Sequence, residues 1–396
     1  MSVHQSEATA RPEVHGPPKE RTTTAHSSGT VVLGIETSCD ETAAAVVVDG
    51  SVVASSVVSS QVERHKPFGG VVPEIAGRAH IELVGPVIEQ ALSEAGFDAR
   101  GHRAPSVGLW GQAPGAGSPG LVGLTSGVDA ASLERVDAVA VTTGPGLVGS
   151  LLVGVSTAKA LALAWRVPFV GVNHLEAHLF AAILDQPVIE YPLLVLLVSG
   201  GHTMLLSMKA PGVYRLDGQT LDDAAGEAFD KVSRFIGLGY PGGPALQRAA
   251  VTGDPQAIAF PRSMIHDGLD FSFSGLKTSV VNYVRKNLDA RVEDIAASFQ
   301  EAVVDVLVAK AVRAVKEGSA KGVCLAGGVA ANALLRERVS VACENLGIPS
   351  YLPSMSMCTD NAAMVAAAGS WSLEHRGPTP LSAGADPNLS LMLADA

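Results

Sequence analysis

The chain has 396 residues, 47% hydrophobic and 17% charged, with a mean hydropathy of +0.28, so it buries a large core and is not intrinsically disordered as a whole. Its length suits two or three domains. A net charge of −11, from 39 acidic against 28 basic side chains, excludes a self-sufficient nucleic-acid binder, because phosphate contacts need clustered Lys and Arg from a local patch or from a partner protein.

Residues 1–30 are polar and aperiodic, which predicts a disordered tail. Val31–Asp49 reads as strand, polar turn (ETSCDET) and strand. From about Asp98 to Ser132 the pattern breaks: between Arg103 and Asp129 there are seven glycines, three prolines and no charge. That density of breakers predicts an inserted surface loop with Trp110 as its one bulky anchor. A buried strand, the turn Gly144-Pro-Gly146 and a helix follow. Ser150–Val172 is the most apolar stretch, but Lys159, Arg166 and its small residues fit a packed helix better than a membrane span. Leu193–Met208 repeats the hairpin around Ser199-Gly-Gly201-His202, and residues 321–339 repeat the strand, the glycine turn (Gly327-Gly328) and the helix.

A hairpin whose turn faces a ligand, present in both halves and followed each time by strand, glycine and helix, predicts a duplicated α/β domain around a central cleft. That is the arrangement of nucleotide-binding folds of the actin, sugar-kinase and Hsp70 type. The lobes are expected at 31–190 and 191–396.

Several motifs carry chemistry. The turn Glu36-Thr-Ser-Cys-Asp40-Glu41-Thr42 ends an apolar strand, where α/β folds bind ligands, and its carboxylates suit orienting a metal or accepting a proton; a solvated turn is the alternative. Bare glycine N–H groups before helices suit phosphate oxygens. His174 and His178 stand at i and i+4, on one helix face and close enough to hold one metal ion, a helix start with two incidental histidines being the alternative. Glu176 faces elsewhere, and the spacing is not HExxH, so a zinc protease is excluded. Asp360 is a candidate third ligand or else the N-cap of the helix that follows. Asp223, Glu227 and Asp230 share helical spacing, either as a solvated face or as a ribose acceptor. Phe271-Ser-Phe-Ser274-Gly-Leu-Lys277-Thr278 reads as a helix start, with contact to a phosphate or a polymer backbone as the alternative. The four cysteines show no Cys-x-x-Cys spacing; Cys324 and Cys343 read as core, and the compartment as reducing.

Taken together, GIETSCDET, GGVVPEIAGRAH, TTGPGLVGSLLVG, NHLEAH, LVSGGHT, DDAAGEAFDK, YPGGP, FSFSGLKT, AGGVAAN and CTDNAAM, in this order from Val31 to Gly369, closely resemble the TsaD family of tRNA N6-adenosine threonylcarbamoyltransferases, once labelled O-sialoglycoprotein endopeptidases. The resemblance implies the duplicated ASKHA (ribonuclease H-like) fold. It implies transfer of a threonylcarbamoyl group from its adenylate, threonylcarbamoyl-AMP, to N6 of the adenosine 3′ of the anticodon in tRNAs reading A-starting codons. It assigns one divalent ion, iron or zinc, to His174, His178 and Asp360. The adenylate falls to Leu197, Val198, Ser199, Gly200, Gly201, Asp230, Gly243 and Asn332, and a catalytic role to Asp40 and Glu41. The implied partners are tRNA, a TsaB-like paralogous subunit and a TsaE-like ATPase.

The tail and the insert depart from the family pattern. A small-molecule carbamoyltransferase on the same fold is disfavoured because the chain ends soon after its last shared motif. A sugar kinase, or an inactive scaffold paralogue, is disfavoured by the intact histidine pair and Asp360. The first 30 residues hold no apolar run of signal-peptide type, so a cytoplasmic protein without a membrane span is expected.

Overall fold

The computed structural model describes residues 29–104, 133–184, 186 and 188–392. Most of the expected tail and residues 105–132 of the expected insert, Trp110 included, lie outside these. Residues 98–104 fold back on the body through bridges between Phe97 and Arg103 and between His102 and Arg135.

Among the described residues ten strands form two sheets. The first contains β1 (Val31–Glu36), β2 (Glu41–Val48), β3 (Val52–Ser60), β4 (Ala138–Gly144) and β5 (Phe169–Asn173), in the order β3-β2-β1-β4-β5. The second contains β6 (Leu193–Val198), β7 (Thr203–Ala210), β8 (Val213–Gln219), β9 (Gly322–Ala326) and β10 (Ser350–Tyr351), in the order β10-β9-β6-β7-β8. In each sheet the first three strands run antiparallel and the other two parallel. The two orders are identical under the substitution of β6–β10 for β1–β5, so the duplication expected from the sequence is present in the topology.

The helices are α1 (Val62–His65), α2 (Pro73–Glu94), α3 (Val148–Trp165), α4 (His174–Leu184), α5 (Ala225–Phe235), α6 (Gly242–Ala250), α7 (Ser274–Lys286), α8 (Val292–Glu317), α9 (Ala333–Leu346), α10 (Met355–Cys358) and α11 (Ala362–His375). Strands β1 and β6 are buried throughout, and apolar but for Glu36 at the end of β1, because both faces of each sheet are covered. Alternate residues divide accordingly. Leu33 and Ile35 face the core under α2 and α3, whereas Val32 faces α11. Leu194, Leu196 and Val198 face α5–α9, whereas Leu193, Val195 and Leu197 face α4. Among the described residues α3 is the one helix long and apolar enough to cross a membrane; it packs on β4 beside α2.

Two helices bind the lobes together. α11 returns to the first sheet, so close over β1 that a Cβ on Gly34 would collide with the Ala362 carbonyl. α4 lies between the sheets: Ala177, Phe180 and Ala181 pack toward α11, and Leu175, Leu179 and Ala182 toward the second sheet. Glu176, 3% exposed, must therefore be neutralised inside. Arg376 donates to both its oxygens, Nη1 to Oε2 and Nη2 to Oε1, each at 2.9 Å, and the Tyr214 hydroxyl adds a third bond at 3.1 Å. Arg376 also stacks on Trp371, 4.6 Å from the ring centre.

The expected shared face of Asp223, Glu227 and Asp230 does not form. The helix starts at Ala225; Asp223 precedes it, and Asp223 and Glu227 both pair with Lys231. Asp230 turns instead to the Gly242 N–H, at 2.7 Å. Asp223 also holds Lys277, at 2.6 Å. The FSFSGLKT segment is a helix start, as expected. Asp222 fixes it, accepting from the Ser272 and Ser274 hydroxyls at 2.6 Å and from the Phe273 and Ser274 N–H groups at 2.8 and 3.2 Å. Partial burial works against the Asp222 charge, yet these bonds hold its carboxyl down at about 2.

Two outcomes follow from these buried and tethered carboxylates. Arg376→Met leaves the Glu176 charge uncompensated and costs about 3–5 kcal/mol in urea unfolding, most of it recovered when Glu176→Gln is added. Asp222 has a folded pKa below its unfolded value of about 3.9, so its contribution is fully present above about pH 4 and is lost as pH falls toward 2. Melting temperatures of wild type and Asp222→Ala differ at pH 7 and converge as the pH drops through that window.

Candidate metal centre and adjoining cavity

Asn173 opens α4 as its cap, its Oδ1 accepting from the N–H groups of Leu175 at 2.9 Å and Glu176 at 3.3 Å. His174 thus occupies the first turn and His178 the next, with ring centres 4.7 Å apart and planes at 75°. Asp360 comes from the opposite side, between α10 and α11. It is not the cap of α11: Asn361 takes that part, accepting from Met364 N–H at 3.0 Å. The Asp360 carboxylate is left to face the histidines, its Oδ1 3.1 Å from His178 Nε2 and 3.6 Å from His174 Nε2.

All three side chains offer ligand atoms within 4.8 Å of one another. Ligands about 2.0–2.2 Å from one ion stand about 3.0–3.5 Å apart, and the 3.1 and 3.6 Å separations between Asp360 and the two histidines are of this size. His178 is 1% exposed, its Nδ1 has no hydrogen-bond partner, and its Nε2 has only the Asp360 carboxylate, at 3.1 Å. Buried polar groups so sparsely partnered are costly, and a cation between the three ligands offsets that cost. Two imidazoles and one carboxylate suit iron(II) or zinc.

The sequence reading assigned no role of its own to Glu36, the first residue of the ETSCDET turn. It is fully buried, its Oε2 lies 3.1 Å from His174 Nδ1 and accepts from the Thr142 hydroxyl at 2.6 Å, and its Oε1 accepts from Ser38 N–H at 2.5 Å. A carboxylate can only accept, so a proton sits on His174 Nδ1, and Nε2, turned to Asp360, is the nitrogen free to ligate once its own proton is lost. Burial works against charge on all three groups, but they hold each other ionised. The Asp360 and Glu36 carboxylates lift His174 to about 9, and the two histidines draw Asp360 down to about 2.

Asp40 and Glu41 flank this centre. The Asp40 carbonyl accepts from Gln61 N–H at 2.9 Å and the Cys39 carbonyl from His80 Nε2 at 3.0 Å, which ties the turn to α2 and the segment before it. Burial, reinforced by the Asp40 charge and then by Asp360, pushes Glu41 up to about 9. Burial holds His202, facing both metal-centre histidines, down at about 4 and therefore neutral.

Beside the centre lies a cavity of about 270 Å³ lined by the Gly200 turn, Phe229 and Asp230 of α5, Pro241–Gln247, Gly328–Asn332 and Met355. Of the eight residues expected at the adenylate, Gly200, Asp230, Gly243 and Asn332 line it. Ser199 and Gly201 stand in the adjoining turn. Leu197 and Val198 do not reach it, because both are buried sheet residues whose side chains fill the core on opposite faces of β6. The Asn332 side chain caps α9 at Leu335 N–H (3.0 Å) and donates to Gln300 Oε1 (2.8 Å). At Gly200, Gly243 and Gly328 a Cβ would meet nothing within 4 Å. The protein's own packing does not require glycine there, and at Gly200 and Gly328 the bare backbone is open to a ligand, whereas the Gly243 N–H, like that of Gly242, turns to Asp230. Burial raises the Asp230 carboxyl, and the nearby Asp40 charge adds to this. Burial, reinforced by the Asp40 charge, likewise raises the Tyr240 phenol.

Comparison with known proteins agrees with this picture. The model of one family, TsaD, tRNA N6-adenosine threonylcarbamoyltransferase, matches residues 52–131 and 129–367. Curated proteins of that description include one from Caldicellulosiruptor saccharolyticus, 46% identical over 366 residues covering 91% of this chain and 98% of its own. Another, from Symbiobacterium thermophilum, is 50% identical over 342 residues, 86% of this chain and 90% of its own. Among solved structures, HypF from T. kodakarensis superposes with a TM-score of 0.56 at 14% identity, over 88% of this chain and 48% of its own. A full-length HypF in phosphate- and nucleotide-bound form gives 0.54 at 14% identity, over 88% and 47%. At such identity the likeness establishes the two-lobed actin-like fold alone.

Proposed function

We infer the reaction in detail from one premise: the chain belongs to the TsaD family of tRNA N6-adenosine threonylcarbamoyltransferases. The donor is threonylcarbamoyl-AMP, the acceptor the N6 amine of the adenosine 3′ of the anticodon in tRNAs reading A-starting codons, and the place the cytoplasm. The observation that carries this reading is the convergence of His174, His178 with its unpartnered Nδ1, and Asp360 beside a glycine-lined cavity.

The cavity takes the adenylate, with the backbone at Gly200 and Gly328 toward phosphate and Asp230 toward a ribose hydroxyl. His174, His178 and Asp360 hold one iron(II) or zinc ion, which when bound polarises acyl or phosphate oxygens. The amine nitrogen bonds to the carbamoyl carbon, the carbon–oxygen bond to phosphate breaks, and AMP leaves with the electron pair. Asp40 accepts the amine proton. Glu41 is held neutral at physiological pH by burial and by Asp40, so it donates a hydrogen bond rather than accepting the proton. The family implies a TsaB-like subunit and a TsaE-like ATPase as partners, and the chain's −11 charge fits reliance on others for tRNA capture.

Nucleoside mass spectrometry of total tRNA from cells depleted of the protein tests the reading. Threonylcarbamoyladenosine falls and is restored by wild type but not by His174→Ala; an unchanged level overturns it. In single turnover with purified components, Asp40→Asn slows the reaction by about 10²-fold or more and Glu41→Gln by clearly less. The reverse order moves the proton acceptor to Glu41. Glu36→Gln weakens zinc binding by about 10–100-fold in chelator competition, because the amide no longer fixes the His174 tautomer.

A further inference from the structure

Asn173 is bonded to two structures at once. Its Oδ1 caps the histidine helix, and its Nδ2 donates to the carbonyls of Leu389 at 3.2 Å and Ser390 at 3.1 Å. These carbonyls belong to residues 377–392, which follow α11 as a strap without helix or strand and lie beyond the segment the family model matches. Irregular backbone needs specific tethers, and the strap has them along its length. Thr379 N–H donates to the Phe169 carbonyl and Asp386 N–H to the Thr143 carbonyl, both at 2.8 Å, and the Pro387 carbonyl accepts from Gly146 N–H at 3.2 Å. Leu391, 7% exposed, is sunk in the core between α4 and the second sheet.

The strap reaches the metal centre from two sides. Through Gly146 it supports the turn whose Leu147 N–H donates to the Ser38 carbonyl at 2.8 Å, and Ser38 Oγ lies 3.2 Å from His174 Nδ1. Through Asn173 it grips the end of α4 where His174 begins. A Cβ at Gly144 would collide with the Asp386 carbonyl, so the strap fills the space over this strand–turn–helix element, whose duplicate, β9 to α9, opens onto the cavity.

We propose that the strap is a positioning element of the metal centre and that Asn173 is the positioning residue that latches it, setting the seat of His174 for ligation. The proposal rests on the His174–His178–Asp360 site described above.

Asn173→Asp separates the two roles of this residue. The carboxylate keeps the helix cap but sets an oxygen, in place of a donor, against the two strap carbonyls. It also adds a negative charge beside the site, which by electrostatics alone tightens cation binding. Leu391→Ala loosens the strap from its far end without touching Asn173. Both variants and their combination are titrated with Zn²⁺ against a chromophoric chelator and with Co²⁺, reading the visible ligand-field bands. Far-UV circular dichroism and amide hydrogen exchange over residues 386–391 are recorded in parallel. The proposal expects faster exchange in the strap, zinc affinity about tenfold weaker in each single variant, altered Co²⁺ bands, and no further loss in the double variant. Unchanged or tighter zinc binding in folded Asn173→Asp and Leu391→Ala proteins overturns it while leaving the metal site standing. Wild-type protein that binds neither ion overturns the metal site and this proposal together.

Discussion

Everything in the cleft depends on one helix having no exposed side. From Leu175 to Ala182 every residue of α4 is buried, because one flank packs with α11 against the first sheet and the other against the second. A helix wedged in this way cannot rotate or slide without opening two cores, so the histidines at its start are held as rigidly as the sheets themselves. The same wedging forces Glu176 into the interior and accounts for the Arg376 fork and the Tyr214 hydroxyl that neutralise it. Those partners come from α11's end and from β8, so the charge that α4 buries is also what ties the two lobes together.

Duplication supplied two copies of each element, and the copies have diverged in use. The first hairpin turn carries carboxylates, which gather around the ion-binding residues; the second carries glycines, which leave backbone free at the cavity. The turn after β9 opens onto that cavity, whereas the turn after β4 is covered by the strap. The cleft is asymmetric although its framework is not: negative side chains line one wall and bare N–H groups the other.

Local patterning made much of this legible in the sequence. Both hairpins, both strand–glycine–helix elements and the His174–His178 spacing follow from periods of 2 and 3.6. What periodicity carries no trace of is contact across the chain. Glu36 touches His174 over 138 residues, and nothing in ETSCDET distinguishes it from Asp40 as the carboxylate that fixes the imidazole. Asp360 and Asn361 are adjacent, and which one caps α11 is decided by the turn geometry. Leu197 and Val198 belong to a ligand-facing motif by sequence but to the core by burial, since the strand must end before backbone can face the cavity. The strap has no period at all, and its identity as a support comes only from its tethers.

The return of α11 to the first sheet has a consequence for how the chain is made. The inner face of that sheet, with Val32, Ala43, Ala45 and Val47, is covered by residues 362–368, some 190 residues after β5 has been synthesised. At roughly 5–20 residues per second on the ribosome, that apolar face stays uncovered for on the order of ten to forty seconds. The first lobe, although translated first, closes last, and through that interval the nascent chain presents a sheet face suited to a chaperone or to another unfinished copy.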